Sequence, residues 1–322
     1  MKTTYILLLL ILSLMTSCSY DFELKGMDAA EKLVLYCMPH AGSDTTLIQL
    51  YLSQPVTQQK KEVRKDVPNA RITFSVNGKD QTVRYAETDK PSVPAGCYYV
   101  VGRWNETDVI RVHAESDGLP PVYSETTIPA SFPLKKVDMV RKQAIDNKLQ
   151  FRITFQDDGE ESYYGIRIMK KEVYEDLADD ENSRTYSAIA LDLELDDEPL
   201  LNNKTGLDAT FDYSTDFYQY LYIWSNEQIL NKEYTLRLNT YYSDDWEADD
   251  WGYHLHNYYK MYFYKLSPEL YKYLKSLNDI KNNNLGSTGL APIRSSYTNI
   301  KNGIGVLGGC QITETEWLEN VH

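Results

Sequence analysis

From residue 32 onward the chain alternates mostly with a period of two. Ala70, Ile72, Phe74 and Val76 interleave with Arg71, Thr73 and Ser75, the pattern of a strand with one buried face. Lys32–Met38 and Thr46–Ser53 are more continuously apolar and predict buried strands. Asn77-Gly78 is a two-residue hairpin signal, with Thr82–Tyr85 as the return strand. Pro94-Ala95-Gly96 turns the chain into Cys97–Gly102, and Asp108–Ala114 and Val122–Ile128 complete seven short strands. Seven strands at these intervals predict an immunoglobulin-like or fibronectin-like β-sandwich over residues 31–140, with Pro129 and Pro133 at its exit.

The same period resumes at Leu149–Phe155, and Asp157-Asp158-Gly159 turns it into Tyr163–Met169. An acidic segment, Glu172–Asp180, reads as a short helix or a loop. Ser187–Leu193, Ala209–Tyr213, Tyr220–Trp224, Glu233–Tyr241 and Lys260–Leu266 read as further strands. The period then changes. Ser267-Pro268-Glu269 is a helix start, with a capping hydroxyl, proline in the first turn and an acid near the positive end. Leu270, Leu274 and Leu277 share a face, and Asn282-Asn283-Asn284 ends it. The expected fold is therefore mainly β: an N-terminal sandwich, then a second antiparallel β domain over residues 141–322 with one packed helix near residues 268–281. The tail, Tyr297–Trp317, is glycine-rich and then strand-like.

Before these strands the pattern is different. A short apolar run, Ile6–Leu14, follows Lys2 and marks residues 1–17 as a secretory signal peptide. The run is shorter than the about 20 residues that a spanning helix needs. Leu14-Met15-Thr16-Ser17-Cys18 resembles a bacterial lipobox. That resemblance implies a diacylglycerol on Cys18, removal of the signal, acylation (a palmitate) on the new amino end, and a lipidated tether over residues 18–30. The alternative is an ordinary cleaved signal with an incidental cysteine. One acyl chain holds reversibly and two or more hold firmly, so no second membrane element is required. Ser19, where Asp would favour inner-membrane retention, implies by analogy the outer membrane. Asp21 and Glu23 beside the anchor suit either display on the cell exterior, as in the Bacteroidota, or a plain polar tether.

Charge narrows the partners. A net charge of −14 over 322 residues argues against nucleic acid and against adsorption to anionic lipid, both of which select basic surfaces. The 27 tyrosines against 8 phenylalanines suit a secreted β protein with binding surfaces. Apart from Cys18, three cysteines remain. Cys37 and Cys97 form a disulfide across the first domain or stay, like Cys310, as buried free thiols.

Taken in order, the lipobox with Leu33-Val34-Leu35, then Pro94–Tyr98, Phe155–Asp158 with Tyr163-Tyr164, Leu266–Leu274 and Thr298–Gly308 resemble the Bacteroidota lipoproteins grouped as domain-of-unknown-function family 4249. The chain departs from that pattern at Met15 and at Leu307, where phenylalanine is usual. The resemblance implies an outer-membrane surface lipoprotein working beside a TonB-dependent receptor in ligand capture or uptake. It carries over no functional residue and no ligand.

Two stretches could hold chemistry. Gly303-Ile304-Gly305-Val306-Leu307-Gly308 spells the glycine spacing of a dinucleotide loop, but Gln311-Ile312-Thr313 follows as a strand, so a glycine-rich strand packed close to a neighbour is the better reading. Tyr241–Tyr264 is the other. It gathers Asp244, Asp245, Glu247, Asp249 and Asp250 around Trp246 and Trp251, followed by Tyr253, His254 and His256. The histidines share a face if the segment is extended. Trp246, Trp251, Tyr253 and the aspartates are candidates for ligand or partner binding, and His254 and His256 are weak metal candidates, since two ligands do not define a site. The bland alternative is a solvated hairpin tip. No GxSxG or HExxH sequence occurs and no pair of acids stands out. The expectation is a binding protein without cofactor, its alternatives a free-standing adhesin or glycan-binding lipoprotein and, last, a hydrolase.

Overall fold

The computed structural model describes residues 30–54, 65–131, 134–142, 147–176, 183–201, 216–246, 253–283 and 294–321. Lys32–Ser53 and Arg64–His322 belong to one compact unit. Within the described residues the chain is mainly β with one α-helix.

The first half supplies β1 (Leu33–Cys37), β2 (Thr45–Leu52), β3 (Arg71–Val76), β4 (Lys79–Gln81), β5 (Val83–Tyr85), β6 (Tyr98–Val101), β7 (Val109–Glu115) and β8 (Val122–Thr127). Strands β1, β2, β6 and β5 lie in one sheet, and β4, β3, β7 and β8 in another. The two sheets enclose one core. Leu33, Leu35, Ile48, Leu50 and Val100 come from the first sheet; Phe74, Ile110, Val112, Ala114 and Val122 come from the second. Alternation along β3 buries Phe74 and Val76 as expected. The hairpin differs from expectation. Asn77 and Gly78 take positive φ of 50° and 78°, a two-residue turn that starts pairing at once. The return strand is therefore β4, while β5 crosses to the other sheet and pairs with β6.

The second half contains β9 (Leu134–Lys142), β10 (Lys148–Gln156), β11 (Tyr163–Asp176), β12 (Arg184–Thr185), β13 (Ile189–Ala190), β14 (Tyr222–Ser225), β15 (Glu233–Tyr241) and β16 (Tyr253–Leu266). Helix α1 (Pro268–Lys281), β17 (Ile304–Leu307), β18 (Cys310–Glu314) and β19 (Leu318–Glu319) follow. Strands β9, β10 and β15 form one antiparallel sheet, and the long β11–β16 ribbon is the spine of the other. Phe151, Ile153, Phe155, Leu236 and Leu238 of the first sheet meet Tyr164, Ile166, Ile168, Met261 and Phe263 of the second. The acidic segment that read as helix or loop begins as strand: β11 runs on to Asp176, because β16 supplies a partner for every one of its residues. Ala209–Tyr213 lies outside the described residues.

Helix α1 begins as its sequence dictates. The Ser267 hydroxyl accepts the Leu270 N–H at 3.3 Å, and Leu270 and Leu274 pack on Tyr163, Ile223, Leu266 and Cys310. The tail then returns to the first sandwich. Strand β17 pairs in parallel with β1, the Lys301 N–H donates to Tyr123 O at 3.0 Å, and the Gly308 N–H donates to Cys37 O at 3.1 Å. Strand β18 carries the chain on to pair with β16. The expected boundary at residue 140 falls inside β9, which pairs along its length with β10 of the second half. The change of sheet system comes earlier, between β8 and β9, and the tail crosses it to complete a sheet on the other side.

The glycine spacing has its explanation here. At Gly305 φ is +112° and a Cβ would lie 2.0 Å from Leu35 O; at Gly308 it would lie 2.6 Å from Leu270 Cβ. The glycines let this segment thread against β1 and α1, and a strand rather than a helix follows them. Cys37, Cys97 and Cys310 are free and buried. Burial raises the thiols of Cys37 and Cys310, the latter to about 12.

Candidate functional site

Among the described residues, a cleft on the first sandwich and one end of the β11–β16 ribbon bring reactive or recognising side chains together. The first is a cleft of about 640 Å³ on the outer face of the β4-β3-β7-β8 sheet, bounded by α1 and the tail. Alternation on β7 and β8 turns Arg111, His113, Tyr123 and Glu125 outward while their neighbours fill the core. Arg111 is ion-paired to Glu125 across the strands. The tail closes the cleft: Lys301 sits over the Tyr123 ring at 5.0 Å, and Asn299 is fixed by bonds to Leu307 N and O at 3.0 and 2.8 Å. Tyr297 is held through its N–H by the Ser276 hydroxyl of α1 at 2.8 Å. Burial first, and the Glu269 carboxylate second, raise the Tyr297 phenol above its ordinary value, so it stays a neutral hydrogen-bonding group. The cleft offers cations, a carboxylate and aromatic faces in one concavity, the makings of recognition of a polar ligand.

The second place is the far end of the β11–β16 ribbon. His254 pairs with Glu175 across the strands and His256 with Val173, so the two imidazoles project from one face as the sequence spacing predicts. Trp246 joins this end through backbone bonds to Leu255 at 3.3 and 3.0 Å. Its ring meets Tyr174 edge-on at 6.1 Å, and Tyr174 meets Tyr186 at 5.3 Å. Burial, then the Glu172 charge and Tyr186, raise the Tyr174 phenol.

The two described aspartates of this stretch, Asp244 and Asp245, have separate partners. Asp244 pairs with Arg141 at 3.0 Å, and that guanidinium lies 3.9 Å over the Tyr242 ring. Asp245 is largely covered and accepts from Asn257 N at 3.1 Å, Asn257 Nδ2 at 2.7 Å and Asn320 Nδ2 at 2.9 Å. Both acids are therefore engaged in holding the segment before β16 to its surroundings. Of the other sequence candidates, Trp251, Asp249, Asp250 and Cys18 lie outside the described residues, and Tyr253 is described only as the first residue of β16. Glu175 was not a sequence candidate; it is brought to the histidines only by the strand register. The cleft residues were not candidates either: Glu269, Asn299 and Lys301 lie in stretches that carry the family resemblance but no functional residue, and Arg111, His113, Tyr123 and Glu125 lie in ordinary alternating strands.

A family model described as a domain of unknown function (DUF4249) matches residues 19–316. The chain belongs to the DUF4249 family. A search of curated proteins finds no match to it. Among solved structures, the collagen adhesin (CNA) from S. aureus aligns over 88% of this DUF4249 chain and 96% of its own at 7% identity, with a TM-score of 0.20. A score that low does not relate the two folds.

Proposed function

We propose that this DUF4249 chain is a non-enzymatic binding protein, anchored through acylated Cys18 in an outer membrane and facing the cell exterior, that captures a ligand for a TonB-dependent transporter. The observation that carries it is the cleft beside Tyr123, Arg111 and Lys301, whose 640 Å³ falls within the roughly 300–1,000 Å³ of small-molecule sites. The lipobox-like sequence ending at Cys18 supports the anchor, and the acidic composition suits a body that works away from nucleic acid.

Membrane fractionation with surface proteolysis tests the location: the chain should be outer-membrane-bound and protease-accessible on whole cells, and Cys18→Ala should release it. Purification through a tag after residue 322 should recover a TonB-dependent receptor reproducibly; its repeated absence sinks the transporter part. The exposed Tyr123 ring supports a second reading, a glycan-binding adhesin. A glycan array on which the chain binds and its Tyr123→Ala variant does not, with no receptor recovered, favours that reading.

A further inference from the structure

We propose that Glu175, His254 and His256 bind one zinc-class divalent cation on the open face of the β11–β16 ribbon. The site goes beyond the binding function above and does not depend on it. His254 and His256 stand two apart on β16, so their rings leave the strand on the same side. Glu175 lies directly across from His254 in the register. One ligand atom from each of the three residues lies within 4.8 Å of the other two, and His256 Nε2 is 3.6 Å from Glu175 Oε2. Bonds of about 2.0–2.2 Å to a tetrahedral ion put donor atoms a little over 3 Å apart. Small side-chain rotations close that difference, and these side chains have room to make them: His256 and Glu175 are 39% and 51% exposed.

The rest of the arrangement favours His256 as a ligand. Its Nδ1 faces an Asp245 oxygen at 3.9 Å, on the opposite side of the ring from Glu175. Asp245 is itself fixed by Asn257 and Asn320. At 3.9 Å this is not yet a hydrogen bond, but a small ring rotation brings Nδ1–H onto the carboxylate and leaves the Nε2 lone pair for the ion, the usual support for a histidine ligand. The Asp245–Asn257–Asn320 linkage ties down the segment before β16 and fixes a carboxylate within reach of one ligand.

The donor set decides the ion. Two imidazoles and one carboxylate suit zinc and its late first-row neighbours, whereas magnesium and calcium call for oxygen ligands in larger number. Three protein ligands on an open sheet face leave a coordination position toward solvent, which water or a donor group of a bound molecule fills.

The test is titration of the tag-free, chelator-stripped chain with zinc chloride, by calorimetry and by competition with a chromophoric chelator. One zinc per chain is expected, with a rise in thermal midpoint. His254→Ala and His256→Ala should each weaken binding at least tenfold, and the near-isosteric Glu175→Gln should weaken it severalfold with its metal-free unfolding midpoint unchanged. Millimolar magnesium or calcium should leave zinc in place. No saturable binding, zinc binding unchanged in the double histidine variant or in Glu175→Gln, or displacement by calcium each overturns the site.

Discussion

The two ends of the β11–β16 ribbon follow one alternation and finish in different environments. At the Tyr163–Leu266 end the outer face is roofed by α1: Tyr163 stacks on Tyr271 at 4.3 Å, and Leu266 and Leu270 are buried. On the opposite face of the same end, beside Tyr164, the Lys265 ammonium is bonded to Asp158 at 2.5 Å. At the Asp176–Tyr253 end the same outer face carries Glu175, His254 and His256, and among the described residues these side chains stay at least partly exposed. A strand's period assigns its side chains to faces. It does not say whether a face becomes core or surface; that depends on an element that packs there, and here the element is a capped helix followed by the glycine-rich tail. The roofed end is a stability device, and the open end is available for chemistry.

The heaviest blow to this contrast is to remove the tail's fit. Gly305→Ala places a Cβ 2.0 Å from Leu35 O at a φ of +112°, so β17 must leave β1. Steric overlap and backbone strain together should destabilise the chain by more than about 3 kcal/mol in urea unfolding. Gly118→Ala is the control: φ is +79° but nothing lies within 4 Å of its Cβ, so only the backbone penalty of about 1 kcal/mol remains. Equal losses in the two variants would mean that the tail is not wedged in the way the backbone contacts imply.

Next in size is a direct comparison of the two ends. Leu270→Ala opens a cavity under the roof and should lower stability by about 2–4 kcal/mol. Ser267→Ala, which removes the cap on Leu270 N, should lower it by about 1 kcal/mol. His254→Ala at the open end should stay within about 0.5 kcal/mol of the unaltered chain. A His254→Ala loss as large as that of Leu270→Ala would erase the distinction between the ends.

How much of this could be read from the chain follows from range. The strands at Arg71–Val76 and Lys148–Gln156 and the helix start at Ser267 are specified by neighbours a few residues apart, and all were legible. Three features were not. Strand β9 is a mixed run in which Lys135 pairs with Glu233 on β15, so its charges hid its strand character. The crossing of β5 to the other sheet depends on how soon the Asn77-Gly78 turn closes. The continuation of β11 through Glu172–Asp176 depends on β16 lying beside it. The candidate site divides in the same way. The shared face of His254 and His256 is local and was legible; Glu175 joins them through register, and the cleft is assembled from β7, β8, α1 and the tail, which no local pattern relates.

The smallest effect tests, through pH, the inner face at the same end of the ribbon as the roof. Burial pushes the Asp158 carboxyl up, but the Lys265 ammonium, the Glu160 N–H at 3.1 Å and the Ser162 hydroxyl at 3.3 Å outweigh it and leave the group below its ordinary value of 3.8. The folded state therefore holds the Asp158 proton less tightly than the unfolded state. Its contribution is complete above the unfolded pKa of about 3.9 and is lost as pH falls through the lower folded value. Asp158→Asn should accordingly be less stable than the unaltered chain by a constant amount between about pH 5 and 7, and the two curves should converge below about pH 4. Urea midpoints over that range read the difference directly and cancel the other carboxylates. Curves that stay parallel down to about pH 2 would show that the covered lysine gains nothing from the ionised partner, and that the inner face of this end is held by its apolar and neutral contacts.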